Sequence, residues 1–138
     1  MKKFTLILVI MLLAGGFTAL AQEDKTPEQK EKEFYEAIEK EVERYRDQLD
    51  LDIAQEFYVD SILTHDYKAL QDEYARMSAA KVSNSDLFYD VQDKWMESIY
   101  VAMRKVLNDE QWAKYEKAGA ARDKKARDKR AAKKLKKK

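Results

Sequence analysis

The chain has 138 residues, no cysteine and a formal net charge of only +1. This length allows one domain, and the lack of cysteine excludes disulfides, thiol nucleophiles and a lipid-modified cysteine. The small net charge conceals an asymmetry, because residues 22–119 hold 14 basic against 24 acidic side chains, whereas residues 120–138 hold 11 against 2. The sequence therefore predicts an acidic body, with a balance of −10, and a basic tail, with a balance of +9.

The first 21 residues have the pattern of a secretory signal peptide. Lys2 and Lys3 precede an apolar run over residues 4–13, and Ala19-Leu20-Ala21 forms a small-x-small cleavage site before Gln22. An uncleaved membrane anchor is the alternative, but two glycines interrupt the stretch and its apolar part is shorter than the roughly 20 residues that a span needs. We expect cleavage near Ala21-Gln22 and a periplasmic or secreted mature protein.

Long helices are expected in the mature chain because neither Gly nor Pro occurs between Glu28 and Ala118. The first helix begins at a capping box, in which Thr26 caps, Pro27 takes the first helical position and Gln29 reaches back to the cap. We expect this helix to end near Gln48. Its apolar side chains recur at helical spacing and form one narrow stripe: Phe34, Ile38, Val42, Tyr45 and Leu49.

A second capping box, formed by Asp52 and Gln55, predicts a helix that extends to about Lys81. Its apolar residues alternate steps of four and three, the heptad spacing that keeps one seam against one neighbour. This spacing favours an antiparallel helix-on-helix arrangement. The residues of the seam are Leu63, Tyr67, Leu70, Tyr74 and Met77.

The third helix is predicted from about Asp86 to Leu107, with Ser83 or Ser85 as its cap. Its apolar face is wider than one neighbour requires. Charged residues four positions apart, Asp90 with Lys94 and Glu110 with Lys114, predict surface ion pairs along a solvated face.

Asn108 caps a short fourth helix, which contains Trp112 and Tyr115 and fades into the basic tail. Residues 120–138 contain helix formers but, apart from alanines, only Leu135 as an apolar side chain, so a disordered segment or a frayed helix is predicted. Three roles remain open for the tail: solubility, attraction to an anionic surface such as acidic lipid headgroups, and docking onto the acidic first helix within one chain or across a dimer.

The predicted fold class is all-α, with a long antiparallel helical hairpin, shorter flanking helices and a tendency to dimerise. The predicted organisation is a signal peptide over residues 1–21, a helical domain over 22–119 and the basic tail over 120–138.

Chemistry-bearing motifs are sparse. The chain has no cysteine and His65 is its only histidine, so no triad containing His and Cys can be built. His65 is interpreted as a solvated helical residue beside Asp66. Zinc and the later transition metals prefer imidazole or thiolate ligands, of which His65 is the one candidate. A calcium site made of carboxylates alone is the alternative, but neither an EF-hand loop nor a phosphate-binding glycine loop is present. We expect no enzymatic activity, no metal and no cofactor.

The most distinctive pattern is an internal echo, because residues 51–55 (LDIAQ) and 107–111 (LNDEQ) share a leucine, a capping residue, two variable positions and a glutamine. In each copy the glutamine can bond the backbone of the cap. Two independent capped helices are the simpler interpretation. The motif residues are Leu51, Asp52, Gln55, Leu107, Asn108 and Gln111.

Together with export, helical character and a Lys-rich tail, this pattern resembles the Spy/CpxP family of periplasmic proteins, which is marked by two Leu-Thr-x-x-Gln motifs. The resemblance covers roughly Leu49 to Lys117 and is clearest over residues 107–115. Both copies depart from the family pattern at the Thr, where this chain has Asp52 and Asn108, residues that also cap helices.

The resemblance implies a helical hairpin that pairs into a curved homodimer and holds unfolded clients or a signalling partner without nucleotide. A broad apolar face with methionines among aromatics is adaptable and fits this function, although burial of that face between helices or protomers is an alternative. The client-binding candidates are Phe57, Tyr58, Met77, Phe88, Met96, Tyr100 and Met103.

A structural envelope protein, anchored to an anionic surface by residues 120–138, is the second hypothesis. Nucleic acid is not an expected partner of an exported protein.

Overall fold

The computed structural model describes residues 25–137, and the predicted signal peptide lies outside these residues. Helices are the only regular secondary structure in this range, which confirms the all-α fold class. The helices are α1 (Pro27–Leu49), α2 (Ile53–Ala79), α3 (Ser85–Val106), α4 (Asp109–Tyr115) and α5 (Ala121–Leu135), and a π-helical turn, Glu116–Ala120, joins the last two. None of these helices has an apolar stretch of the length that a membrane crossing needs.

Polar caps define the helix starts. The boxes predicted at Thr26, Asp52 and Asn108 are all present, each with a glutamine at the third helical position. The cap of α3 was predicted wrongly: Asn84, rather than Ser83 or Ser85, accepts the bond from the Asp86 N–H at 2.9 Å. The Asn side-chain oxygen is a strong capping acceptor, and Ser85 is already the first residue of the helix.

Two helix ends are made without glycine. Asp50, directly after α1, and Lys81, two residues after α2, adopt a left-handed backbone with φ of 55°. The Asp50 N–H still donates to the carbonyl of Arg46, so the last turn of α1 is closed. Tight turns are thereby possible in a segment that contains no glycine.

The centre of the fold is the antiparallel hairpin of α2 and α3. Near its turn the Tyr74 and Phe88 rings lie 5.5 Å apart, and Lys94 pairs with Glu73 at 2.5 Å. α1 packs on α2 and, through Tyr45, on α4. Of the helices that flank the hairpin, α1 has 23 residues and is about as long as α3, whereas α4 is short, with 7 residues. The buried core is Phe34, Ile38, Val42, Tyr45, Leu49, Leu51, Val59, Leu63, Tyr67, Leu70, Ile99, Met103, Leu107 and Tyr115.

The basic tail differs from its prediction, because residues 121–135 form a regular helix that packs along α3 rather than a frayed or disordered segment. The chain kinks at Gly119, whose φ of +142° favours glycine, and α5 then runs antiparallel to α3. Composition gave the wrong expectation because the stabilising partners of α5 are carboxylates of α3, which are distant in the sequence, rather than apolar neighbours.

The surface pairs were predicted with mixed success. Glu110 and Lys114 are paired at 3.2 Å as expected. The predicted pair of Asp90 with Lys94 is wrong, because Lys94 reaches across to Glu73 on α2 and Asp90 pairs with Lys134 of α5. Both residues therefore hold helices together.

Candidate functional site

The two motif copies, 56 residues apart in the sequence, meet in the structure. The side-chain amides of Gln55 and Gln111 pair reciprocally: Gln55 Nε2 donates to Gln111 Oε1 at 2.7 Å, and Gln111 Nε2 donates to Gln55 Oε1 at 2.9 Å. Leu51 and Leu107, the leucines that precede the two caps, are both buried. The motif is therefore one junction between α2 and α4 rather than two independent caps.

The remaining bonds of the pair follow the same two-fold pattern. Each Oε1 also accepts from the backbone N–H of its own cap, at 3.1 Å from Asp52 and 3.0 Å from Asn108. Each Nε2 also donates to the carbonyl that precedes the other motif, Val106 for Gln55 and Asp50 for Gln111, at 3.1 and 3.3 Å. All donors and acceptors of both amides are thus used, which links the ends of α1 and α3 to the starts of α2 and α4.

This junction positions one wall of a groove between α1 and α2. The wall is the first turn of α2, where Ile53 is 89% exposed and Phe57 68% exposed. Ile38 and Val42 of α1 form the floor, and Tyr35, 47% exposed, stands at the opposite side. The groove is open to solvent and has a volume of about 600 Å³. Large apolar side chains in such an open position are a typical feature of binding surfaces.

The rim of the groove is acidic. Four carboxylates line it, and Arg46 is the only basic residue among its lining side chains; the four are Glu39, Glu43, Glu56 and Asp60. Arg46 is engaged by Asp47 at 3.1 Å and by Glu56 at 3.6 Å. The groove therefore combines apolar surface with net negative charge, an arrangement that attracts Lys and Arg beside apolar side chains.

The seven predicted client-binding residues do not form one surface. Phe57 and Tyr58 are exposed, and their rings lie 5.8 Å apart. Half-buried positions are taken by Met77, Phe88, Met96 and Tyr100. Met103 is wholly buried, with 0% exposure, so its prediction as a surface contact is corrected. Met103 and Ile99, one turn apart, lie on the side of α3 that faces the core, as the alternative of burial between helices allowed.

Sequence reasoning missed two exposed apolar residues of the groove, Ile53 and Tyr35, as well as its acidic rim. Ile53 was considered only as part of a cap, and Tyr35 lies outside the apolar stripe of α1. A signal was present for Ile53, because it and Phe57 are four residues apart and lie off the heptad seam of α2. Apolar residues that share a helix face away from the core-forming seam are candidates for exposure.

A polar cluster is buried beside the core. Glu41, 2% exposed, accepts from Arg44, whose guanidinium also lies 4.5 Å from the centre of the Tyr45 ring. Burial raises the pKa of Tyr45 well above its ordinary value, with the neighbouring Tyr115 and Glu41 adding to the effect. Burial likewise raises the pKa of Tyr115 to about 12. These phenols stay neutral in the folded protein at physiological pH, which fits a structural role.

His65 lies on the exposed side of α2, as predicted, with its Nδ1 2.7 Å from Asp66 Oδ1. Over residues 25–137 the structure contains no group of three His, Asp or Glu side chains arranged to hold a metal ion.

A scan against protein-family models found no match, and neither did comparisons with curated proteins and with solved structures.

Proposed function

We propose that the chain is an exported helical binding protein that holds unfolded or partner polypeptides in the groove between α1 and α2, without nucleotide. The observation that carries the proposal is the exposure of Ile53 and Phe57 above an apolar floor. Solvent exposure of such side chains is unfavourable in isolation, and covering them with apolar groups of a client is worth about 25 cal/mol per Å² of buried apolar area.

The acidic rim supports a preference among clients. Segments in which Lys or Arg flanks an apolar residue can place the apolar side chain on Phe57 and the cations near Glu39 and Glu43, whereas acidic segments are repelled. Rim charges act mainly on selectivity and association rate, so this preference should weaken at high salt.

The resemblance to the Spy/CpxP family supports the same function. It implies a periplasmic, ATP-independent chaperone or envelope-stress modulator, and it implies a homodimer. Light scattering on the chain from Gln22 onward tests the dimer, with twice the monomer mass expected.

The direct test is suppression of aggregation of a chemically denatured client. The chain from Gln22 onward, which contains all described helices, should suppress aggregation without ATP, and the double substitution Ile53→Ser with Phe57→Ser should remove most of this activity. The matched control is Leu87→Ser with Val101→Ser, two exposed apolar residues of α3 that do not line the groove. No suppression by the unmodified chain at a several-fold excess, or equal losses in the two variants, would contradict the proposal.

A second candidate is a structural envelope protein whose basic tail anchors it to an anionic surface. The observation that favours it is the ordered α5 helix, which presents a row of lysines to solvent.

A further inference from the structure

The cations of α5 fall on two opposite faces of the helix. At about 100° per residue, Lys124, Arg127, Arg130 and Lys134 share one face, which we call the docking row. The opposite face carries Lys125, Lys129 and Lys133, continued by Lys136 directly after the helix, and we call these four residues the outer row. Arg122 lies on the same side but is paired with Asp123 and is not counted in the row. At 1.5 Å per residue the outer row is ~17 Å long.

The four cations of the docking row pair with three carboxylates of α3. Lys124 and Arg127 both contact Glu97, at 3.0 and 3.1 Å. Arg130 makes a bidentate pair with Asp93, at 2.6 and 2.7 Å, and Lys134 pairs with Asp90. Arg127 is 9% exposed and its guanidinium also lies 5.5 Å from the ring centre of Tyr100. These contacts orient α5, so that its other face points away from the acidic body.

The outer row has no such compensation. All four lysines are exposed, and none of them has a carboxylate partner within the described part of the chain. The two acidic residues of α5 are engaged elsewhere, Asp123 by Arg122 at 3.0 Å and Asp128 by Lys124 at 2.7 Å. A row of uncompensated positive charge is therefore held on an ordered helix.

We infer that the outer row binds the surface of an anionic lipid bilayer. Lysines are compact, strongly hydrated charges, which suits diffuse attraction to a layer of headgroups, and each contributes to the attraction independently. Single-stranded nucleic acid is the less favoured polyanion because its binding sites combine charge with aromatic stacking, and α5 contains no aromatic residue. The lipid-binding inference concerns α5 alone. It can therefore fail while the groove still binds clients, and the groove can fail to bind clients while α5 still binds lipid.

The test uses vesicles of phosphatidylglycerol in phosphatidylcholine, co-sedimented with the chain from Gln22 onward. Two triple variants each remove three positive charges: the outer variant has Lys125→Gln, Lys129→Gln and Lys133→Gln, and the docking variant has Lys124→Gln, Arg127→Gln and Arg130→Gln. Circular dichroism checks that the outer variant keeps its helix content, as expected for solvent-exposed positions.

The outer variant should lower the partition coefficient on the order of 100-fold, and the docking variant much less, because the outer lysines still reach the surface when α5 is loosened. Binding of the unmodified chain should also fall steeply between low and physiological salt. Equal losses in the two variants, equal binding to pure phosphatidylcholine, or tighter binding to a single-stranded oligonucleotide at the same ionic strength would overturn the inference.

Discussion

Replacing Gln111 by Glu tests whether the paired amides hold the four helix ends together. The substitution keeps the size of the side chain and both acceptor functions, so the bonds from Asn108 N–H and from Gln55 Nε2 can persist. A carboxylate cannot donate, and the bonds to Gln55 Oε1 and to the Asp50 carbonyl are therefore lost.

The expected loss of stability follows from the burial of the site. Gln111 is 6% exposed, so the introduced carboxylate is largely shielded from water. The Asp50 carbonyl loses its bond from Gln111, and Gln55 Oε1 keeps only its bond from the Asp52 N–H and faces a carboxylate oxygen instead of an amide N–H. A lost hydrogen bond costs about 1 kcal/mol and an unsatisfied buried group about 1–3 kcal/mol, so we expect Gln111→Glu to lower the free energy of unfolding by about 3 kcal/mol.

Gln29→Glu is the matched control. Gln29 occupies the same third position of a capping box and bonds the Thr26 N–H at 2.9 Å, but it is exposed. Glu is equally suited to this position and favours the positive end of the helix, so the free energy of unfolding should change by less than about 0.5 kcal/mol.

The assay is urea unfolding of both variants, followed by circular dichroism at 222 nm. Burial should raise the pKa of the carboxyl introduced at position 111 in the folded state, so the penalty relative to the unmodified chain should shrink as the pH falls from 7 towards 5. A Gln111→Glu penalty as small as that of Gln29→Glu would refute the account of the junction.

Three further predictions concern the core, a turn and pH. Met103→Glu should abolish the cooperative helix signal, because it places a charge at a position with 0% exposure, and retention of native helicity would show that the residue is accessible. Lys81→Gly should raise the free energy of unfolding by about 0.5–1 kcal/mol, because glycine adopts a φ of 55° without strain. As the control, Lys40→Gly within α1 should lower the free energy of unfolding by about 1 kcal/mol. Changes of the same sign in the two variants would contradict this explanation. Because burial raises the pKa of Tyr45 and of Tyr115, the folded state binds more protons than the unfolded state above pH 10, so stability should fall between about pH 10 and 12. Phenolate absorbance at 295 nm should then rise together with loss of helix, and titration of every tyrosine near pH 10 with helicity intact would be the contrary result.

The local features of the fold could be predicted from the sequence. Three capping boxes were assigned to the right residues because a box depends on side chains only three positions apart. The heptad seam of α2 likewise predicted the hairpin, since it defines one apolar side that must be covered. The cap at Asn84 was missed because it lies in a run of four residues that can cap a helix or form a turn. Several positions for the start of α3 are therefore nearly equivalent.

Features that depend on distant partners could not be predicted in the same way. The sequence displayed both copies of the motif but contained no information on whether Gln55 contacts Gln111. Composition alone made residues 120–138 look unable to pack, because the carboxylates that hold α5 lie on α3. The apolar face of α3 was visible as wider than one neighbour requires, but the sequence did not show which of its residues the packed helices bury, and Met103 proved to be one of them.

The most direct test of the proposed groove is site-specific photo-crosslinking to an unfolded client. A photoreactive phenylalanine analogue is placed at position 57, in the groove, or at position 101, on the exposed side of α3. The proposal predicts strong crosslinking to the denatured client from position 57, little from position 101, and none from either position to the same client in its folded form. Equal crosslinking from the two positions, or crosslinking from position 101 alone, would contradict the groove as the binding site.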